Sequence, residues 1–238
     1  MKTFIREKML IGEEGLNKLE NSKVLIFGVG GVGGYVCEAL ARSGIGSMTL
    51  VDHDTVSVSN INRQIIALHS TVGEYKVDVM KRRILDINPN CKVEVKKMYF
   101  LPENENEFNF EEYDYIIDCI DTVTAKLHII EKAKSLNINV ISSMGAGNRL
   151  DPTKIIVTDI SKTQDYKLAK VVRTEIRKRG INHCKVVISL EKALTPKWED
   201  EEENKASGKR STPGSSAFVP SAFGLVIASE VVKELLEK

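Results

Sequence analysis

No stretch of this 238-residue chain approaches the roughly 20 consecutive apolar residues that cross a bilayer, and runs such as 115–117 are far shorter. A membrane span is therefore not expected. Residues 1–14 mix charges with isolated apolar positions and lack the apolar block and small-residue cleavage site of a secretory leader, so a cytoplasmic protein is expected. Cysteine is scarce and scattered: Cys37, Cys91, Cys119 and Cys184 form no close pair, which excludes a Cys-x-x-Cys zinc ribbon and gives no disulfide framework. They read as buried free thiols, and no zinc is expected. Charge of one sign is also lacking. At a formal net charge of +1, the field of the whole molecule offers no argument for a polyanionic partner, and any such argument must be local.

What is present is ordinary globular material, with 42% apolar and 28% charged residues, enough to bury a core. The length suits one domain over residues 1–238, with a helical arm at 1–22. Short β-branched and apolar runs predict strands at 23–27, 48–51, 92–96, 113–118, 139–143, 154–159 and 185–190. Between them, apolar residues recur at helical spacing over 76–87, 124–136 and 222–236; in the first of these Val77, Met80, Ile84 and Ile87 alternate with Lys81, Arg82 and Arg83. Alternating strands and amphipathic helices predict an α/β sheet covered on both faces. Residues 195–216 break the pattern with an acidic run after Trp198 and then Lys, Ser, Gly and Pro, and are expected to form a mobile crossing loop.

The first strand runs into Gly28, Gly30, Gly31, Gly33 and Gly34, after which a helical pattern resumes. Glycines there let the backbone turn tightly against phosphate oxygens, and the following helix N-terminus offers unpaired N–H groups. Asp52, 19 residues after Gly33, ends the second strand where a carboxylate can accept from a ribose. These features alone would favour NAD, so the glycine motif says little about which nucleotide binds. The loop that follows, with Ser59, Asn60, Asn62, Arg63 and Gln64, places a guanidinium and several amides where a dehydrogenase has little use for them. Arg63 can clamp a triphosphate through its planar fork, and Lys76 can add a compact charge; taken singly, Lys76 reads as a solvated helix lysine. Asp121 follows the strand ending at Asp118, at the carboxyl edge of the sheet, and suits a magnesium ion that keeps most of its waters. Asp118 itself reads equally well as a ligand or as a strand-end cap.

Together, Asp52, Asp54, Asn60, Arg63, Gln64, Lys76 and Asp121, in this order and spacing behind the glycines, resemble the ubiquitin-activating-like superfamily of ThiF, MoeB and HesA. The resemblance covers most of the chain. It implies a Rossmann-like nucleotide-binding fold with a mixed, mostly parallel sheet flanked by helices, and adenylation of a carboxylate with ATP and magnesium. In that superfamily the residue matching Asp52 holds the ribose, those matching Asn60, Arg63 and Lys76 contact phosphates, and the one matching Asp121 serves the metal. Arg6, ahead of Leu10, resembles an arginine that reaches into the other subunit's ATP site, which implies a homodimer; without the resemblance it is only a charge near a terminus.

The missing Cys-x-x-Cys pairs depart from the molybdopterin and thiamine branches. The stretch from Met144 through Arg149 to Pro152 and the late Pro213 to Pro220 instead resemble the branch that dehydrates threonylcarbamoyladenosine in tRNA. That resemblance implies a tRNA substrate whose threonyl carboxylate is adenylated and closed into a ring, with release of AMP and pyrophosphate; a sulfur-transfer protein is a further partner it admits. The region 162–179 fits an RNA partner. Lys162, Lys167, Lys170, Arg173, Arg177, Lys178 and Arg179 stand there against Asp165 and Glu175, and Tyr166 offers a stacking face. The bland reading is a solvated helix face. Cys184, next to His183, is the best-placed cysteine for a nucleophile, although the proposed route needs none. The rival expectations are an adenylyltransferase acting on the C-terminus of a sulfur-carrier or ubiquitin-like protein, and a nicotinamide-dependent oxidoreductase.

Overall fold

In the computed structural model, which describes residues 2–163, 166–198 and 212–237, seven strands form one sheet in the order β3-β2-β1-β4-β5-β7-β6. They are β1 (Lys23–Phe27), β2 (Ser47–Val51), β3 (Lys92–Lys96), β4 (Tyr115–Asp118), β5 (Asn139–Ser143), β6 (Ile155–Asp159) and β7 (Lys185–Ser189). All neighbours pair in parallel except β6, which runs antiparallel to β7 at one edge. The helices are α1 (Ile5–Asn21), α2 (Gly33–Arg42), α3 (Lys76–Ile87), α4 (Val123–Ser135), α5 (Lys167–Lys178) and, last in the chain, α6 (Phe218–Glu237).

Strand β1 shows why helices must cover both faces. Its alternate residues Val24 and Ile26 face a core built with α2, α3 and α6, while Leu25 and Phe27 face a second core built with α4 and α5. All four are fully buried, so the run carries no polar face. The second core holds a cluster of Phe27, Phe100, Phe108 and Phe110, with Phe27 and Phe100 ring centroids 4.5 Å apart. Edge strand β3 is Lys-Val-Glu-Val-Lys, and its charges discourage further pairing.

The chain walks from β1 outward through β2 to β3, then returns to β4 on the other side of β1. The connections that leave β1 and β4 therefore run to opposite sides, and a crevice opens at the carboxyl ends of the two strands.

Two boundaries depart from expectation by two residues or more. β4 starts at Tyr115 rather than 113, because the Asp114 carboxylate accepts from the Lys23 amide at 2.9 Å and the Tyr113 hydroxyl turns inward to donate to Thr49. The last helix starts at Phe218 rather than 222, since Pro220 falls in the first turn, where a missing N–H costs nothing. The expected crossing loop is tied down at its far end. Asn148 N donates to Gly214 O at 2.7 Å and Asn62 Nδ2 to Ser215 O at 3.0 Å. Residues 195–198 have no regular structure, and 199–211 lie outside the described residues. The expected arm is helical over Lys2–Phe4 and Ile5–Asn21, with a kink at Gly12.

Candidate active site

A cavity of about 620 Å³ lies over the carboxyl ends of β1, β2, β4 and β5. The glycine turn forms its floor. Gly28 has φ +88°, and a Cβ on Gly33 would sit 1.8 Å from the Gly28 carbonyl oxygen, so no side chain is admissible at Gly33 while the turn closes into α2. Gly30 and Gly31 line the cavity itself; Gly33 does not, and serves by letting the turn close.

Asp52, at the end of β2, braces this turn. One carboxylate oxygen accepts from Val29 N at 2.7 Å and the other from Asp54 N at 2.9 Å. Each oxygen retains further acceptor capacity toward the cavity. Asp54 accepts from Lys76 Nζ at 2.6 Å and lies 3.1 Å from His53 Nε2. The solvated-lysine reading of Lys76 is thereby corrected: only 6% of the residue is exposed, because β2's loop folds over the start of α3 and encloses the side chain. The ammonium is held among cavity-lining groups at small entropic cost.

Past β2, Asn60 Oδ1 accepts from Ser57 N, closing a short capped turn. Arg63 Nη1 donates to Ser59 O at 2.7 Å and to Asn62 Oδ1 at 2.9 Å, which fixes the plane of its guanidinium at the cavity wall. Gln64 is buried and also lines the cavity, and its Oε1 is the one buried side-chain polar atom among the described residues that lacks a hydrogen-bond partner. An unmet buried acceptor costs about 1–3 kcal/mol. A ligand hydroxyl or amine in the cavity would relieve it.

The two acids after β4 separate cleanly. Asp118 is fully buried, accepting from Lys126 Nζ at 2.7 Å and from the Ser142 hydroxyl. It is an internal tie, so the ligand reading of Asp118 falls. Asp121, three residues on, is exposed on the cavity-lining loop. Among the described residues, one group offers three metal-type ligand atoms within 4.8 Å, namely Asp52, His53 and Asp54. Its charge is already committed to Lys76 and backbone amides, so it is a poor cation cage.

Gly28, Gly30, Gly31, Asp52, Asp54, Ser59, Asn60, Arg63, Gln64, Lys76 and Asp121 line this one cavity, whereas Gly33, Gly34, Asn62 and Asp118 do not; Arg6 is exposed on α1, outside the lining of its own chain's cavity. Sequence reasoning missed Met98, Tyr99 and Phe100, which follow β3 and form one wall. The Tyr99 ring packs 4.0 Å from that of His53. No motif marks this segment, which reaches the site only because β3 is adjacent to β2. Leu168 of α5 and the strap at 212–215 were likewise missed as lining.

Of the four cysteines Cys119 alone lines the cavity, and burial disfavours its thiolate. Cys184 is packed in the second core, away from the cavity lining, and burial pushes its thiol up to about 12. His183 is exposed and lies 3.4 Å from Asp159 rather than serving as a base for the thiol. Burial, and then the neighbouring Asp118, also push the Cys119 thiol up. Cys184→Ala is expected to keep turnover within about twofold, with iodoacetamide inert toward the wild type at neutral pH. Loss of turnover in a folded Cys184→Ala protein would restore the nucleophile.

A model of the ThiF family matches residues 5–238. The tRNA threonylcarbamoyladenosine dehydratase of Bacillus subtilis is 46% identical over 240 residues, covering 98% of this chain and 94% of that protein. The Escherichia coli enzyme of the same name is 35% identical over 245 residues, covering 96% and 91%. A crystal structure of the E. coli dehydratase in complex with ATP superposes with a TM-score of 0.89 at 34% identity, covering 99% of this chain and 94% of that one.

Proposed function

The chain belongs to the ThiF family, and from that premise we propose that it is an ATP-dependent dehydratase of threonylcarbamoyladenosine in tRNA. The observation that carries this reading is the convergence of the glycine turn, Arg63, Gln64 and Lys76 on one cavity beside the Asp121 loop. A nicotinamide has no need of two cations held at a phosphate turn, whereas a triphosphate under attack does.

In this reading the phosphates lie over Gly30 and Gly31, Asp52 receives the ribose, and Gln64 Oε1 accepts from a ligand donor. Arg63 and Lys76 neutralise phosphate oxygens and Asn60 contacts them, with Lys76 positioned by Asp54. Asp121 would hold magnesium, the single carboxylate and phosphate oxygens being the hard donors that this ion accepts. When bound, the ion supplies further charge neutralisation.

The threonyl carboxylate displaces pyrophosphate and thereby gains AMP as a leaving group. The ureido group of the same nucleoside then attacks the acyl carbon and AMP departs. The nucleoside has lost one water and ATP has been cleaved to AMP and pyrophosphate. Because attacking and attacked groups share one nucleoside, proximity replaces an enzymic nucleophile.

Incubation with threonylcarbamoylated tRNA and ATP, followed by mass spectrometry of the nucleosides, tests this. The expected product is the modified adenosine less one water, and an unchanged nucleoside overturns the assignment.

The site is completed by a second copy of the chain in this reading. Arg6 lies on the first turns of α1 beside Met9 and Leu10, which are 75% and 82% exposed, an apolar surface that a partner subunit would cover. Asp121→Ala is expected to abolish turnover with the fold intact, and Arg6→Ala to slow adenylation while ATP still binds. Mixing the two variants should recover part of the activity through hybrid dimers. No recovery on mixing argues that each copy works alone.

A further inference from the structure

We propose that the exposed face of α5 is the track on which the RNA backbone next to the reacting adenosine lies; this rests on the tRNA reading above. Helix α5 carries five basic residues, Lys167, Lys170, Arg173, Arg177 and Lys178, against the single acid Glu175. On a chain whose formal net charge is +1, the remainder of the molecule is therefore net negative, and positive charge is concentrated on this one helix.

The structure sorts these cations. Arg173 is spent internally, its Nη1 donating to Thr163 Oγ1 at 2.6 Å and to the Thr163 carbonyl. Lys178 pairs with Glu175 at 2.7 Å, and Arg179, just beyond the helix, with Glu131 at 2.9 Å. Lys167, Lys170 and Arg177 are exposed and have no ion-pair partner among the described residues.

At about 100° per residue these three lie within an arc of roughly 80°, opposite the buried Ala169, Val172 and Ile176. Ten residues at about 1.5 Å rise separate the first from the last, some 15 Å. A stacked strand advances about 3.4 Å per nucleotide, so the row matches roughly four phosphates.

One end of the row meets the cavity. Leu168, adjacent to Lys167, lines it, and a Cβ built on cavity-lining Gly145 would touch Leu168 at 3.6 Å. A strand whose modified nucleoside enters the cavity thus continues along α5.

The face suits phosphate rather than a protein surface. It offers spaced cations with Thr174 between them and only Val171 as an exposed large apolar residue, whereas a protein interface needs an apolar centre. Base stacking at Tyr166, expected from sequence, is corrected. The Tyr166 hydroxyl accepts from Ser189 N at 2.8 Å, and the Arg149 guanidinium caps its ring at 4.5 Å. The contact is therefore with backbone, and selection of the base is left to the cavity.

The test compares the wild type with K167A/K170A/R177A and with a control triple, K81A/K92A/K154A, that removes equal charge elsewhere. tRNA KM, kcat, ATP affinity and binding of a labelled anticodon stem-loop are measured across a salt series. The α5 triple is expected to raise the tRNA KM about 10–100-fold at ~0.1 M salt and to lower the salt slope of log K by about 2. At saturating RNA kcat should hold, as should ATP affinity, and the control triple should shift KM by less than about threefold. A dehydrating wild type with an α5 triple of unchanged KM and slope, or with an equal shift in the control, overturns the track alone. A wild type that leaves the tRNA nucleoside unchanged overturns the underlying reading and the track with it.

Discussion

Lys126→Ala is expected to destabilise the chain by about 3–5 kcal/mol, the cost of leaving a buried partner charge uncompensated. Lys126 and Asp118 are both fully buried, 2.7 Å apart, and the ammonium also donates to Ser142 Oγ at 3.1 Å and to Ser143 O at 2.9 Å. It thus ties the carboxyl ends of β4 and β5 together directly beneath the cavity. For a domain of this size the loss corresponds to a fall in Tm on the order of 10 °C. Denaturation in urea measures it. Adding Asp118→Asn should recover part of the loss, because removing the orphaned charge removes most of the penalty. A cost below about 1 kcal/mol for Lys126→Ala would mean that water reaches the pair and that it is no internal tie.

Lys76→Ala is the matching case for activity. The side chain is buried and held by Asp54, yet Asp54 is half-exposed and stays solvated when its partner is lost, so little stability depends on the pair. The ammonium is one of two cations fixed at the cavity, and its removal is expected to lower the rate of AMP formation by about 10²–10³ with the fold unchanged. Lys76→Arg should not rescue, since a guanidinium spreads its charge over a planar fork and does not reproduce the compact charge of an ammonium beside Asp54. Turnover within tenfold of the wild type would remove Lys76 from the proposed reaction.

These two lysines illustrate what a sequence can and cannot disclose. Both fall near the start of an amphipathic helix, and nothing in their immediate neighbours tells them apart. Lys76 was singled out by the family resemblance, having read by itself as a solvated helix lysine, whereas Lys126 carried no signal at all. Asp118 and Asp121 present the same contrast. Asp118 ends a predicted strand and Asp121 follows it by three residues, and only the position of Lys126 and Ser142 makes the first an internal tie and leaves the second on the cavity loop. On α5 the charge count was legible, but which three cations lack an ion-pair partner among the described residues was not, because Thr163 and Glu131, which occupy their neighbours, come from other elements. Met98 to Phe100 escaped notice for the same reason, being placed by strand order rather than by any local pattern.

Local pattern determined the strand and helix sequence and the glycine turn, and together with the family resemblance it pointed to loop residues that the structure gathers around one cavity. Periodicity, turn chemistry and spacing act over a few residues and can be read along the chain. Tertiary structure alone decided which charges are neutralised inside the protein and which face the cavity or solvent. That depends on burial and on partners brought in from distant strands, and a carboxylate or ammonium has no fixed role until its neighbours in space set the cost of its charge.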